Sequence, residues 1–202
     1  WVPSHLADPD MAAAEDLEAG PSSEEEAAEQ VVSFRALREE DLPELKELQR
    51  SLFPVQYSDS FYNRLLTDGH YTMLGVTSTG GLLGTGEIVA VGSVRTVHPD
   101  NEPDTDVREA YIMTLGVKET FRRRNLGTLV MRECLNLIRD HSPCDMAVLH
   151  VKSDNIAALA FYQKFGFSID ANGFCKDHYL IDGVLYHAFR LTYMLPQPSS
   201  SY

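Results

Sequence analysis

The sequence has few of the features that mark metal-binding, secreted or membrane-spanning proteins. Its three cysteines form no CxxC pair, and its seven histidines show neither an HxxxH spacing nor a Cys/His cluster, so the sequence predicts no metal site. The odd number of cysteines favours free thiols in a reducing compartment, which indicates a cytoplasmic protein. No apolar run approaches the roughly 18 residues that a membrane-spanning helix needs.

Lysine and arginine are absent from residues 1–30, which hold nine of the 30 acidic residues of the chain. This stretch has few bulky apolar side chains and cannot bury enough surface to offset the entropy of ordering it. We therefore predict a disordered acidic tail over residues 1–32. The tail is either simply solvated or docks on a basic partner, such as a ribosome surface or an auxiliary subunit.

The acidic tail also lacks the basic and apolar regions of a signal peptide. Because the chain begins with Trp1 rather than a methionine, a longer N-terminus with a targeting segment stays an alternative. A membrane-associated or organellar form is therefore left open beside the cytoplasmic one.

The balance of charge bears on nucleic-acid binding. The chain carries 17 basic and 30 acidic residues, a net charge of −13. Proteins that bind nucleic acids attract the phosphates with a basic face, which this composition does not supply. We predict no direct nucleic-acid partner.

Residues 33–196 alternate between strand and helix patterns, which predicts one mixed α/β domain, followed by a short disordered tail over residues 197–202. Predicted helices follow the first strand, the basic loop near residue 124, and the strand at 145–151. The last of these begins with Ser153 or Asp154 as its cap and ends at Gly166. Predicted strands cover residues 31–37, 71–79, 87–97, 110–117, 145–151 and 185–195.

The stretch "TFRRRNLGTL" is a basic loop that leads into a helix. A helix N-terminus presents unpaired N–H groups and the positive end of the helix dipole, so it favours anions. Gly127 lets a ligand approach the backbone closely. The loop predicts a phosphate or diphosphate site, and the alternative is a solvated basic turn.

The order of these elements resembles the GNAT superfamily of N-acetyltransferases. The motifs "FPVQY", "YIMTLGV", "LHV", "AFYQKFGF" and "HYLIDGVLYHAFRLTYML" are similar to N-terminal protein acetyltransferases of the NatE and NatF catalytic-subunit types, and the closing segment is nearer to NatF. The resemblance implies the acyl-CoA N-acyltransferase fold, with a splayed, mostly antiparallel central sheet flanked by helices. It also implies acetyl transfer from acetyl-CoA to the free α-amine of protein N-termini, with methionine followed by a non-small residue as the preferred substrate.

The same resemblance implies roles for individual residues. Tyr111 and His150 would handle the proton of the amine, and Tyr162 would protonate the leaving thiolate. The alternatives are core packing for the two tyrosines and a backbone-bonded histidine for His150. The implied cofactor-binding residues are Leu115, Gly116, Val117, Arg122, Arg123, Arg124, Asn125, Leu126, Gly127, Thr128, Asn155 and Tyr162. The implied substrate-binding residues are Phe53, Pro54, Val55, Tyr57, Tyr111, His178 and Tyr179.

The chain departs from the family pattern at two places: Asn125 stands where the loop usually has glycine, and His178 precedes Tyr179 where relatives have two tyrosines. Asparagine tolerates the left-handed backbone that such a position needs. Two other functions remain as alternatives. One is an acetyltransferase for internal lysines or small amines, and the other is a non-catalytic acetyl-CoA-binding interaction module.

Overall fold

The computed structural model describes residues 31–78, 86–97, 108–142 and 144–196. Within these ranges the chain forms seven strands and four α-helices. In chain order they are β1 (Val32–Ala36), α1 (Leu42–Leu52), α2 (Asp59–Arg64), β2 (His70–Thr77), β3 (Ile88–Val97), β4 (Glu109–Val117), α3 (Leu126–His141), β5 (Met146–Lys152), α4 (Ile156–Phe165), β6 (Ser168–Ile181) and β7 (Val184–Met194).

The strands form one sheet in the order β1-β2-β3-β4-β5-β7-β6. Every neighbouring pair is antiparallel except β4 and β5, which run parallel. This mixed α/β architecture confirms the predicted fold class. No helix within the described ranges is long and apolar enough to cross a bilayer.

The predicted tails fall almost entirely outside the described residues. The structure begins at Val31, and β1 starts at Val32, the last residue of the segment predicted to be disordered. Residues 1–30, 79–85, 98–107, 143 and 197–202 lie beyond the described ranges. The predictions for those segments stay predictions.

Two sequence predictions differ from the structure. The cap of α4 is Asn155, whose side-chain oxygen accepts a hydrogen bond from the Ala158 N–H at 3.0 Å, and not Ser153 or Asp154. We also predicted no strand at the position of β6. That strand lies at the edge of the sheet, is mostly exposed, and changes register twice against β7, so it lacks the apolar alternation of a half-buried strand.

The two faces of β4 pack against different helices. Ile112 lies in the core cluster that includes side chains of α3 and α4, and Tyr111 points to the opposite face because side chains alternate along a strand. Met113 is an extra residue in the register with β3, which makes a bulge. After the bulge Thr114 faces α1, where its hydroxyl oxygen lies 3.4 Å from Nε2 of Gln49. Tyr111 and Thr114 therefore share the α1 face.

The parallel ladder between β4 and β5 is short. It joins Glu109–Tyr111 to Met146–Val148, and beyond Tyr111 the described residues of β4 have no ladder partner on that side. Both strands keep their antiparallel partners, β4 with β3 and β5 with β7. The sheet therefore opens into a gap between β4 and β5 that starts at Tyr111 and runs along β4 toward Val117.

Candidate active site

The basic loop reaches α3 through two residues with left-handed backbone. Arg123 has a φ of 62°, and Asn125, the residue before the helix, has a φ of 60° and a ψ of 11°. Asparagine adopts this conformation more easily than most residues, so the loop keeps its shape without a glycine at this position. The first turn of α3, with the buried Gly127, leaves its N–H groups open to an anion.

A cavity of about 300 Å³ lies against this helix N-terminus. Its lining combines loop residues, the end of β4 and one face of α4. The lining residues are Val117, Arg122, Arg123, Asn125, Leu126, Gly127, Thr128, Phe161, Lys164 and Phe165. The first seven of them are predicted cofactor-binding residues. The cavity offers helix N–H groups and cations at one end and aromatic rings along α4, which fits a ligand with a diphosphate and a long organic arm, as in acetyl-CoA.

Two of the three loop arginines also hold the loop itself. Nε of Arg122 donates a hydrogen bond to the Val117 carbonyl at 3.3 Å. The guanidinium of Arg124 lies over the Phe121 ring, 4.9 Å from its centroid, and Arg124 does not line the cavity. Of the three arginines predicted to bind the cofactor, Arg122 and Arg123 line the cavity, and Arg124 packs on Phe121 instead.

Gly116 and Leu115 lie on the adjoining stretch of β4, whose backbone borders the gap. Leu115 is buried in the core cluster. A methyl group on Gly116 would lie 2.7 Å from Cδ1 of Leu52 and 3.0 Å from Cζ of Phe53. Gly116 therefore lets the end of α1 pack directly on β4, and any contact of these two residues with a cofactor runs through their backbone.

Tyr111 and His150 meet at the start of the gap. The Tyr111 hydroxyl lies 3.0 Å from Nδ1 of His150, and the ring centroids are 5.8 Å apart. The two residues come from neighbouring central strands, as the sequence predicted, and the structure shows that they share the α1 face of the sheet. The Arg95 guanidinium lies over the Tyr111 ring, 5.0 Å from its centroid.

The imidazole of His150 is neutral at physiological pH. Burial lowers the pKa of His150 to about 4, and the neighbouring His178 ring and the positive charge of Arg190 act in the same direction. A neutral ring can accept a proton, which a protonated ring cannot. The pair therefore offers a proton acceptor and a hydroxyl in direct contact.

His178 lies beside this pair, as predicted. Its ring stacks on the His150 ring with centroids 4.3 Å apart and planes at 17°. Burial also lowers the pKa of His178, so the second imidazole is neutral as well.

Tyr179 takes a different position from the predicted one. We predicted that its hydroxyl binds the peptide backbone of the substrate. The side chain is only 1% exposed, and its hydroxyl donates to the main-chain carbonyl of His150 at 2.9 Å. The structure corrects this role, because a hydroxyl held inside the sheet supports His150 rather than facing a peptide.

The predicted substrate loop "FPVQY" follows α1 directly. Phe53 is buried in the cluster formed by α1, α2 and β2, while Pro54 is exposed and Val55 is half-buried. The Tyr57 ring stacks on Phe61 with centroids 4.2 Å apart, and burial raises the pKa of the Tyr57 hydroxyl well above its ordinary value. The loop therefore presents an apolar surface on the α1 face, with Phe53 and Tyr57 anchoring it.

Two predicted residues of α4 face the core rather than the cavity. Tyr162 is 3% exposed and packs edge-on against Phe161 and Phe167, while the wall of the cavity is formed by its helix neighbours. Burial raises the pKa of Tyr162, so it releases a proton less readily than an exposed tyrosine. The geometry does not support its predicted role as the acid. Asn155 is the buried helix cap already described.

The structure also brings residues to the site that sequence reasoning missed. Arg190 pairs with His150 in the ladder between β5 and β7, and its guanidinium bonds both Glu109, at 2.7 Å, and Asp170. Cys175 lies on β6, where one ligand atom of each of His150, Cys175 and His178 is within 4.8 Å of the others. The sequence predicts neither group, because each combines residues of different strands and β6, which contributes to both groups, was not predicted.

The chain matches known proteins over most of the described ranges. The model of the acetyltransferase (GNAT) family matches residues 42–167. N-alpha-acetyltransferase 50 of Danio rerio is 35% identical over 131 residues, which span 64% of this chain and 70% of the relative. N-alpha-acetyltransferase 60 of Danio rerio is 31% identical over 175 residues, which span 81% of this chain and 69% of that one.

A solved structure shares the fold described above. Arabidopsis thaliana Naa50 in complex with the bisubstrate analogue CoA-Ac-MVNAL is 27% identical, covers 81% of this chain and 99% of its own, and has a TM-score of 0.64. The resemblance seen in the sequence is thus confirmed, and the chain belongs to the GNAT family of acetyltransferases.

Proposed function

We propose that this chain transfers the acetyl group of acetyl-CoA to the free α-amine of protein N-termini, with methionine followed by a non-small residue as the preferred start. The observation that carries the proposal is the contact between Tyr111 and Nδ1 of His150, 3.0 Å apart at the start of the gap between β4 and β5. It places a proton acceptor on the α1 face, where the substrate loop lies.

The cavity at the loop and the Tyr111–His150 pair mark the two ends of one path. The cavity reaches Val117, and Tyr111 lies six residues earlier on the same strand, which corresponds to roughly 20 Å. A diphosphate held at the N-terminus of α3 would let the extended arm of acetyl-CoA run along the gap. The thioester would then meet the amine near the pair.

The reaction forms a C–N bond, breaks the C–S bond and removes a proton from the amine. His150 is neutral and can take that proton, directly or through Tyr111 and water. The negative charge that develops on the thioester oxygen needs N–H donors, and the β4 backbone around Leu115–Val117 borders the gap where such donors are required. The thiolate then takes up a proton as coenzyme A leaves.

An α-amine suits this neutral base. Its ordinary pKa is near 8, so about a quarter of it is neutral at pH 7.4, whereas only about one lysine side chain in a thousand is neutral. A site that binds this neutral fraction has to remove a proton only as the C–N bond forms. This supports an N-terminal substrate over an internal lysine.

The preference for methionine rests on the "FPVQY" loop. The exposed Pro54 and the half-buried Val55 give this loop accessible apolar groups above the buried Phe53, and an unbranched thioether side chain adapts to irregular apolar surfaces. The analogue bound to the Arabidopsis relative carries the peptide MVNAL, which begins with methionine. The half-buried, polar His178 beside His150 predicts that an acidic or amphipathic second residue is accepted.

A peptide panel tests the proposal. We expect kcat/KM for Met-Leu, Met-Lys and Met-Glu N-terminal peptides to exceed that for a Ser-Ser peptide and for an N-blocked histone-tail peptide with free lysines. The matched control is each Met peptide with its own N-terminus blocked, which should not be acetylated. If the Ser-Ser peptide or the histone-tail lysines react fastest, the substrate assignment is wrong although the family assignment stands.

The proposal also covers the cellular location of the enzyme and the partner of its acidic tail. We place its action in the cytoplasm and assign the acidic tail to docking on a basic partner, a ribosome or an auxiliary subunit. Co-sedimentation with ribosomes, compared between the full chain and a form that starts at Val31, tests the docking role. Equal sedimentation of the two forms would contradict it.

A further inference from the structure

We propose that His150, Cys175 and His178 form a binding site for a thiophilic divalent metal ion such as Zn²⁺, and that a metal bound there blocks the reaction by occupying His150. One ligand atom of each residue lies within 4.8 Å of the other two. Two imidazoles and one thiol are a donor set that Zn²⁺ prefers, with the fourth position left to water or substrate. The blocking effect, though not the binding, rests on the function proposed above.

A bulge in β6 creates the cluster. Cys175 and His178 are three residues apart, so in a regular strand their side chains would point to opposite faces. The register with β7 breaks between Cys175 and Tyr179, and Asp177, inside the break, has a left-handed φ of 51°. The extra residues change the face of the sheet to which one of the two side chains points, so the thiol and the imidazole lie on the same side, toward His150.

The histidines of the cluster are available as ligands. A neutral imidazole carries a lone pair on one of its two ring nitrogens, and this lone pair can bind a metal ion. The Tyr111 hydroxyl contacts Nδ1 of His150 and leaves the other ring nitrogen for a metal. Nε2 of His178 is buried and accepts no hydrogen bond from the described residues, so coordination costs it no existing bond.

The cluster has to tighten to hold an ion. Zn²⁺ binds sulfur at about 2.3 Å and nitrogen at about 2.0 Å, so its ligand atoms lie nearer to one another than the present 4.8 Å. The rings of His150 and His178 are stacked, and one ion cannot lie in both ring planes, so His178 must turn about its side-chain bonds. The residues between Cys175 and Tyr179 lie outside the ladder with β7, and the Asp177 N–H joins this stretch to that strand through a hydrogen bond to Nδ1 of His187 at 3.0 Å.

Binding also changes the protonation of the thiol. In the free protein the Cys175 thiol donates a weak hydrogen bond to the Gly173 carbonyl, with Sγ 3.5 Å from that oxygen. Coordination forms a metal–sulfur bond and releases the thiol proton to solvent. No oxidant or reductant takes part.

The experiment uses the full chain with Co²⁺ as a spectroscopic probe and Zn²⁺ as the inhibitor. Co²⁺ bound to the cluster should give a thiolate-to-metal absorption band that Zn²⁺ displaces. We expect this band in the wild type and in the control Cys144→Ser, whose thiol lies elsewhere, and its loss in Cys175→Ser. Zn²⁺ should inhibit the acetylation of a Met-Leu peptide by the wild type, and at least about tenfold more Zn²⁺ should be needed for Cys175→Ser.

Cys175→Ser should keep its activity without metal, since Cys175 has no part in the proposed reaction. Equal Co²⁺ spectra and equal Zn²⁺ inhibition in the wild type and Cys175→Ser would overturn the proposal. The Co²⁺ band does not depend on turnover. A chain that shows the band but acetylates no peptide would keep the metal site and refute the proposed function.

Discussion

The Tyr179 hydroxyl donates a hydrogen bond to the main-chain carbonyl of His150 at 2.9 Å. Tyr179 lies on β6 and His150 on β5, and β7 runs between these two strands, so the side chain reaches past one strand to support the next. The bond ties the edge of the sheet to the residue that we propose as the base. It also replaces the substrate contact that the sequence suggested for Tyr179.

Removal of this hydroxyl should affect stability and turnover together. We expect Tyr179→Phe to lower the free energy of unfolding by about 1 kcal/mol, because a buried hydrogen bond is lost. It should lower kcat through the position of His150, with little change in the KM for peptide. The control is Tyr186→Phe, since Tyr186 pairs with Tyr179 on β7 and its ring faces Lys152. Urea unfolding and steady-state kinetics measure both effects. A raised peptide KM with unchanged stability would restore the substrate role of Tyr179.

The Tyr111–His150 pair makes a separate prediction. We expect Tyr111→Phe and His150→Ala each to lower kcat at least about tenfold, as the loss of proton transfer does. Tyr71→Phe, a change at another half-buried tyrosine, should leave kcat unchanged. Circular dichroism checks that the variants are folded. Wild-type rates in both folded variants would show that the proton leaves by another route.

The low pKa of His150 predicts the pH dependence of the reaction. The ring is largely neutral above about pH 5, so between pH 5 and 8 the rate should follow the protonation of the peptide amine rather than that of His150. We expect kcat/KM to rise tenfold per pH unit up to about 7.5 and to level off near the amine pKa, about 8. If the kcat/KM profile of the wild type showed a second ionisation near pH 6.5 that is absent from His150→Gln, this would contradict the burial of the ring.

The same low pKa links stability to pH. Between about pH 4 and 6.5 the unfolded chain binds a proton at His150 that the folded chain does not, so this residue makes the free energy of unfolding rise with pH in that window. Because other groups titrate there too, the comparison is with His150→Gln. Urea unfolding at several pH values should give a steeper dependence for the wild type, and parallel dependences would be the contrary result.

The loop before α3 can be tested by changing its backbone. Asn125→Gly relieves a left-handed asparagine, so we expect acetyl-CoA to bind as tightly as before or more tightly. Gly127→Glu places a bulky negative group where the anion is expected, and it should abolish binding. Titration calorimetry with acetyl-CoA measures both. Normal binding by a folded Gly127→Glu variant would remove the cofactor site from this loop.

Local patterns predicted much of this structure, and contacts between distant residues account for the rest. The apolar stripe of α3 and the loop before it follow from neighbouring residues, and so does the left-handed state of Asn125. The placement of Tyr111 and His150 on adjacent central strands followed from motif order, and the structure adds their direct contact. The packing of Tyr162 into the core could not be read from the sequence, since α4 is apolar around most of its circumference.

The edge of the sheet was the hardest part to predict. β6 has a polar, irregular sequence, and its bulge fixes which side chains share a face. Without that bulge the side chains of Cys175 and His178 would point to opposite faces of the sheet, so the sequence alone does not predict the cluster. The bonds of Arg190 to Glu109 and Asp170 likewise depend on the pairing of β5, β7 and β6.

The short ladder between β4 and β5 divides the sheet into two antiparallel blocks, one containing β1–β4 and the other β5–β7. Three residue pairs join the two blocks, so slow motions that separate the blocks should concentrate at this short ladder. A ligand that lies along the gap would contact both blocks and would stabilise the sheet against their separation. Amide hydrogen exchange along β4 beyond Tyr111 would then slow when acetyl-CoA is added, which makes these amides direct reporters of occupancy.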